Sequence, residues 1–304
     1  MLVFGRRSEL IQLSDGRMNS TRRDFLRVMG LGAATAMTSA FAADKKSDSH
    51  SRPSARELIN RPGTLVIAHR GLPEAFPENS VPAFQAALEY KPDFIELDYR
   101  HSSDGIPIVI HDEKLDRTTD SFTRFGLKDV LIGTKTAAQL AELDAGTWFG
   151  AQFAGTPLPT LDASLDAILA GSCCMVERKD GDAKTCVELL KRKRVEDRVI
   201  VQAFDWDYIR NVRKLNADIV TGLLGKGPLD AAKIAEAKEI GSEVVGWADK
   251  DLQLEAIAAA QAAGLKVWCW TVNQPERAQQ LAAAGLNGLI TNRADVARKW
   301  LGRS

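Results

Sequence analysis

Glu96 and Asp98 stand two residues apart in the run Asp93-Phe94-Ile95-Glu96-Leu97-Asp98-Tyr99. On a β-strand that spacing puts both carboxylates on one face and Ile95 and Leu97 on the other. Neighbouring carboxylates repel, so in a buried setting they need a cation between them or one must take up a proton. The pattern recurs in Val176-Glu177-Arg178-Lys179, where Glu177 and Lys179 share a face at the end of another apolar run. One such pair alone is more often an ion-paired rim feature. Two pairs at strand ends tip the balance toward a metal site. Three carboxylates without thiolate or clustered histidine form a hard oxygen donor set suited to one divalent cation, Ca²⁺ or Mg²⁺. Lys179 adds a positive charge beside them, leaving room for an anionic substrate.

Two of the four histidines also end apolar runs: His69 follows residues 64–68 and His111 follows residues 107–110. A lone histidine is usually structural, but two at matching strand ends beside carboxylates suit a general acid and a general base. Arg70 offers a planar fork for phosphate oxygens, and Gly71 permits the tight turn that brings backbone close to a ligand. Of the other two, His50 falls in a polar stretch and His101 in a turn region.

These residues need strands to carry them. Short β-rich runs alternate with helical stretches from residue 64 to the C-terminus, which implies a parallel sheet. Eight strand-plus-helix units result if residues 93–110, with the turn signal Asp104-Gly105, count as one strand with a hairpin extension. Eight units with polar residues at strand C-termini predict a TIM (β/α)8 barrel. The competing open doubly wound sheet lacks its glycine fingerprint after the first strand. Residues from about 112 to 159 break the rhythm and read as a small insertion after the second strand region, within one domain spanning 62–304.

The N-terminal part reads as an address. Arg22-Arg23, then Phe25-Leu26, precede an uncharged, Ala- and Gly-rich run over 28–43, too short to span a membrane comfortably at about 20 residues. Ala40-Phe41-Ala42 places cleavage after Ala42, so residues 1–42 are expected to be a signal peptide. It resembles a twin-arginine export signal, which implies a periplasmic or otherwise exported product; an uncleaved anchor is the alternative. Met18 offers a second start, which would leave residues 1–17 untranslated, and residues 43–61 read as a flexible leader.

Lysine plus arginine total 40 and aspartate plus glutamate total 40, so no basic footprint points to nucleic acid. An anionic ligand must be held by a local constellation, and no stable membrane insertion is expected once the signal is removed. Four cysteines have no zinc-type spacing; Cys173, Cys174, Cys186 and Cys269 read as buried small hydrophobes.

An ordered set of short motifs now falls into place: Ala68-His69-Arg70-Gly71, Pro77-Glu78-Asn79-Ser80, Glu96-Leu97-Asp98, His111-Asp112, Leu115-Asp116-Arg117-Thr118-Thr119, Glu177-x-Lys179, Gln202-Ala203-Phe204, Trp270-Thr271-Val272-Asn273 and Gly288-Leu289-Ile290-Thr291. Each piece is weak alone; together, over about residues 65–300, they resemble the glycerophosphodiester phosphodiesterase family. The resemblance implies a TIM barrel, a divalent cation and cleavage of small glycerophosphodiesters to sn-glycerol 3-phosphate and an alcohol. It puts Glu96, Asp98 and Glu177 on metal ligands, His69 and His111 on the acid/base pair, and Arg70 and Lys179 on phosphate contacts. Glu78 and Asn79 line the site, Asn79 nearer the chemistry, and Trp270 walls the pocket or sits in the core. The chain departs from the family's pattern at Ala203 (often Ser), Arg178 (usually apolar) and Asn292 (commonly Asp). Two rivals share the constellation: a phospholipase D-like lipid phosphodiesterase, and a non-catalytic binder of a phosphorylated ligand. The residues leave open which histidine is the base, and whether water or the substrate's own 2-hydroxyl attacks.

Overall fold

The computed structural model describes residues 52–303, so the expected signal peptide, its alternative start and the first part of the expected leader lie outside the described residues. In chain order the elements begin with α1 (Ala55–Ile59), β1 (Leu65–Ala68), α2 (Val81–Leu88), β2 (Phe94–His101) and β3 (Pro107–Val109). Two short helices, α3 (Ser121–Phe125) and α4 (Ala137–Leu140), lead to α5 (Leu161–Leu169) and β4 (Cys173–Arg178). Then come α6 (Ala183–Lys193), β5 (Val199–Ala203), α7 (Trp206–Leu215), β6 (Val220–Gly225), α8 (Ala231–Ile240) and β7 (Val244–Ala248). The chain closes with α9 (Leu254–Ala262), β8 (Lys266–Trp270), α10 (Pro275–Ala283), β9 (Gly288–Thr291) and α11 (Ala294–Trp300).

β1 pairs in parallel with both β2 and β9, which closes the sheet into a barrel. The remaining parallel pairs run β2–β4–β5–β6–β7–β8–β9, giving eight parallel staves. β3 is the hairpin extension, antiparallel to β2. Alternation along each stave sorts the core. Val66, Ile95, Leu97, Cys174 and Val176 face the helices, whereas Ile67, Phe94 and Met175 fill the barrel interior. Glu96, Asp98 and Glu177 continue the interior-facing register toward the C-terminal mouth. All four cysteines are buried and free, as expected from their apolar surroundings.

α1 corrects the boundary of the flexible leader, which was expected to run to residue 61. Ser54 caps this helix in a full capping box with Glu57. Ala55, Leu58 and Ile59 are buried in the same cluster as Leu65 and Phe94, plugging the barrel's N-terminal end. A stave interior this apolar would otherwise be open to water.

Side-chain caps start the helices that follow the staves. Ser80, Thr160, Asp182, Asp205 and Asp230 each accept a backbone N–H in the first turn of α2, α5, α6, α7 and α8. The insertion has its own small core, in which Leu115, Val130, Ile132, Leu140 and Leu143 pack on Ile108 and Ile110. Its Phe153 meets Phe76 of the β1–α2 loop with ring centroids 5.3 Å apart, so the insertion leans on the loop that carries Arg70. Among the described residues, no helix is long and apolar enough to cross a membrane.

Gly71 holds the turn after β1 at φ 89°, and a Cβ there would lie 2.7 Å from the Ala83 carbonyl carbon. A Gly71→Ala variant combines left-handed strain with a backbone clash. It should lose about 2–4 kcal/mol, read as a lower urea midpoint at unchanged m-value. A loss under about 0.5 kcal/mol would show that the loop relaxes freely.

Candidate active site

Seven of the ten residues singled out from the sequence line one cavity of about 180 Å³ at the C-terminal mouth: His69, Arg70, Glu96, His111, Glu177, Lys179 and Trp270. Carboxylate oxygens of Glu96, Asp98 and Glu177 lie within 4.8 Å of one another, all three buried. Register explains the meeting, because Asp98 on β2 pairs directly with Glu177 on β4.

Burial and the nearby Asp98 and Glu177 charges hold the Glu96 carboxyl well above the usual range. Burial, with Asp98 beside it, pushes Glu177 up to about 7. For Asp98 burial acts upward too, but Lys179 and Arg70 outweigh it and hold this carboxyl below its ordinary value. Asp98 is the best-served of the three. Its Oδ1 is 3.0 Å from Lys179 Nζ, its Oδ2 is 3.0 Å from Arg70 Nε, and Asn79 Nδ2 donates to Oδ2 at 2.8 Å. Glu96 Oε2 accepts from the Arg70 backbone N–H at 3.0 Å, yet its buried Oε1 has no hydrogen-bond partner. Lys179 also pairs with Glu177. An orphaned buried carboxylate oxygen is costly unless something cationic meets it.

Arg70 and Asn79 both adopt left-handed backbone, at φ 54° and 56°, a strained state that clusters at functional sites. Asn79 is buried and accepts the Asp98 N–H at 3.2 Å, so it fixes Asp98 and does not line the open cavity. Glu78 does not line it either. Its carboxylate receives Arg70 Nη1 at 2.9 Å and both Nη1 and Nη2 of Arg117, at 3.0 and 2.8 Å, and so aims Arg70. Arg117 also grips Asp112, and Asp112 Oδ1 lies 2.7 Å from His111 Nδ1. That chain ties the insertion to the histidine.

His69 Nδ1 is 2.7 Å from Asn292 Oδ1. Burial, then the Arg70 charge, lowers this imidazole to about 4. With Asn292 accepting, Nδ1 carries the proton and Nε2 keeps its lone pair. His111 is also shifted down by burial, against the pull of Asp98 and Asp112. Trp270 stands at the wall: its Nε1 donates to Gly246 O at 3.0 Å and its ring meets Phe204 edge-on, at 5.5 Å and 88°.

Arg117, Asp112 and Asn292 join the site through side-chain contacts between distant segments, which spacing along the sequence does not reveal. Lys226, between two glycines just after β6, also lines the cavity and was not among the residues expected there; its place at a stave terminus was the available signal. Of the departures, Arg178 is fully occupied on the helix side, donating to Gly181 O and Asp205, each at 2.9 Å.

The model of the glycerophosphoryl diester phosphodiesterase family matches residues 69–296, which spans every one of these groups. The chain belongs to this family. Curated relatives agree. A glycerophosphodiester phosphodiesterase of Caldanaerobacter subterraneus subsp. tengcongensis is 32% identical over 237 residues, covering 75% of this chain and 94% of that one. Another, from Bacillus subtilis, is 30% identical and covers 93% of this chain and 98% of its own. Among solved structures, a phosphodiesterase of Oleispira antarctica in complex with the product sn-glycerol 3-phosphate superposes with a TM-score of 0.73. It is 25% identical, with 79% of this chain and 97% of that chain covered. The family barrel and its mouth are therefore those of the eight-stave architecture described above.

Proposed function

We propose that this protein hydrolyses glycerophosphodiesters to an alcohol and sn-glycerol 3-phosphate at the C-terminal mouth of the barrel. One observation carries this most directly. Three buried carboxylates converge, two of them with an oxygen that lacks a hydrogen-bond partner, beside the cavity that also holds two histidines, an arginine and two lysines. Glu96, Asp98 and Glu177 would hold one hard divalent cation, Ca²⁺ or Mg²⁺, for which an all-oxygen set fits. Such a cation would offset phosphate charge and stabilise the charge developing in the transition state.

The chain's own groups do the rest. Arg70, aimed by Glu78, and Lys179 bind the phosphodiester oxygens. His69, neutral at pH 7 with Nε2 unprotonated, takes the proton of the nucleophile, water or the substrate's 2-hydroxyl. His111, whose Nδ1 faces the Asp112 carboxylate, is the ring better supported as an imidazolium, and it protonates the leaving alcohol oxygen as the P–O bond breaks. The relatives' names and the product bound to the Oleispira protein support this reaction for the present chain.

Assay of the purified protein on glycerophosphocholine and glycerophosphoethanolamine tests it. Glycerol 3-phosphate should form, stop with chelator and return with Ca²⁺, Mg²⁺ or Mn²⁺. No product with any ion would reject the proposal. We further propose that residues 1–42 direct export. Arg22-Arg23→Lys-Lys should then retain the precursor inside the cell, and unaltered export would count against it.

The ion should also change stability in a pH-dependent way. Glu177 is raised from 4.5 to about 7, and Glu96 is raised as well. A carboxyl with a raised folded pKa contributes fully below its unfolded value and loses that contribution as pH rises through the folded one. The ion-free protein therefore weakens between about pH 4.5 and 7, where a cation can replace the protons. At one fixed concentration, about a hundredfold above the Kd at pH 8, Ca²⁺ or Mg²⁺ should raise Tm by about 5–10 °C at pH 8 and much less at pH 5, where protons compete for the same carboxylates. An equal rise at both would contradict this arrangement.

A further inference from the structure

The groups assigned so far face the phosphate and the reacting atoms, and none of them reads the alcohol that departs. Lys226 is placed to do so. It follows the last residue of β6, and its Nζ stands 5.1 Å from the Phe204 ring centroid and 5.9 Å from that of Trp270. Those rings meet at 88°, and the Trp270 indole is pinned by its bond to Gly246. Lys179 Nζ lies 6.0 Å from the same Phe204 ring. The second cation is therefore about one aromatic ring away from the lysine that faces phosphate.

The two lysines differ in pairing. Lys179 is met by Asp98 and Glu177. Among the described residues, no carboxylate makes an ion pair with Lys226, and aromatic faces are the partners its ammonium has. Two aromatic walls at a right angle are the kind of surface on which a quaternary ammonium settles. Here the chain's own ammonium already stands over both. A cationic head group would meet that charge in place of the bare rings, and an anionic one would meet an uncompensated positive charge.

We propose that Lys226 is a specificity-determining residue that favours glycerophosphodiesters with an anionic leaving alcohol, such as a phosphorylated polyol, over those bearing an ammonium head group. This rests on the phosphodiesterase reading of the site. Lys226 is exposed at the mouth, so its replacement leaves the buried carboxylates and histidines in place.

The test compares kcat/KM of wild type, Lys226→Gln and Lys226→Arg on glycerophosphocholine, glycerophosphoinositol and glycerophosphoinositol 4-phosphate, with circular dichroism to verify folding. Wild type should prefer the phosphorylated inositol diester. Lys226→Gln should shift the anionic-to-choline ratio toward choline by at least about tenfold, the combined size of one lost attraction and one lost repulsion near a surface. Lys226→Arg should keep the wild-type order. A uniform fall across the panel would place Lys226 on the shared glycerophosphate and overturn the proposal, as would unchanged ratios. If wild type cleaves none of the three with any ion, the phosphodiesterase reading itself fails, a result distinct from cleavage with charge-blind selectivity.

Discussion

His69→Ala and His111→Ala should each lower kcat at least about 100-fold while the barrel remains folded. The cause is proton bookkeeping at the phosphodiester: one group must remove the nucleophile's proton and another must supply one to the departing alkoxide. In the proposed mechanism His69 would enter the reaction neutral, because burial and Arg70 hold it near 4. His111 is half-exposed and leans on Asp112. An alcohol that leaves easily needs little help from an acid. The His111→Ala defect should therefore shrink on a p-nitrophenyl phosphodiester, whereas the His69→Ala defect should persist. Wild-type rates in both alanine variants would reject the pair; equal defects on both substrates would reject their division of labour.

Asn292 adds a refinement. Its side-chain amide contacts His69 Nδ1. An amide orients the ring without adding a negative charge that would raise its pKa. In the proposed mechanism this keeps His69 unprotonated at the expense of some support for the imidazolium that would form during the reaction.

Much of this site was legible because strands impose a period of two. Glu96 with Asp98, and Glu177 with Lys179, had to share faces once their runs were strands, and barrel closure then had to bring β2 beside β4. The histidines were legible as polar residues ending apolar runs. Glu78 shows where such reasoning stops. Its position in a loop says nothing about direction, and only the folded chain shows it turned toward Arg70 and Arg117, away from the open cavity. Arg117 comes from the insertion, and no periodicity connects residues 39 apart in irregular backbone. Helix α1 escaped notice for a related reason. A five-residue helix gives too short a pattern to stand out from a polar stretch, and its apolar residues acquire meaning only against the barrel floor they cover.

Glu96 and Asp98 should respond to neutralisation with opposite signs, which separates a site built for an ion from one built for stability. Glu96 is buried, pushed toward protonation by burial and its neighbours, and keeps one oxygen with neither a hydrogen-bond nor an ion-pair partner, whereas the corresponding Asp98 oxygen has Lys179 at 3.0 Å. Glu96→Gln retains a carbonyl for the Arg70 N–H and offers an amide N–H toward Asp98 and Glu177, relieving repulsion. Without divalent ions this variant should melt a few degrees above wild type, at about 2–4 °C per kcal/mol. It should also lose the ion-induced rise in Tm and at least about 1000-fold in kcat/KM. Asp98 is different. It is fully buried and answers Arg70 and Lys179 at once. Asp98→Asn leaves two largely buried cations short of charge and should cost about 3–5 kcal/mol as well as activity. Thermal melts with chelator and with Ca²⁺ or Mg²⁺, beside kinetics on one diester, distinguish the two. If Glu96→Gln lowers the chelated Tm as much as Asp98→Asn does, the carboxylates are structural partners of Arg70 and Lys179, and the cation site must be sought elsewhere.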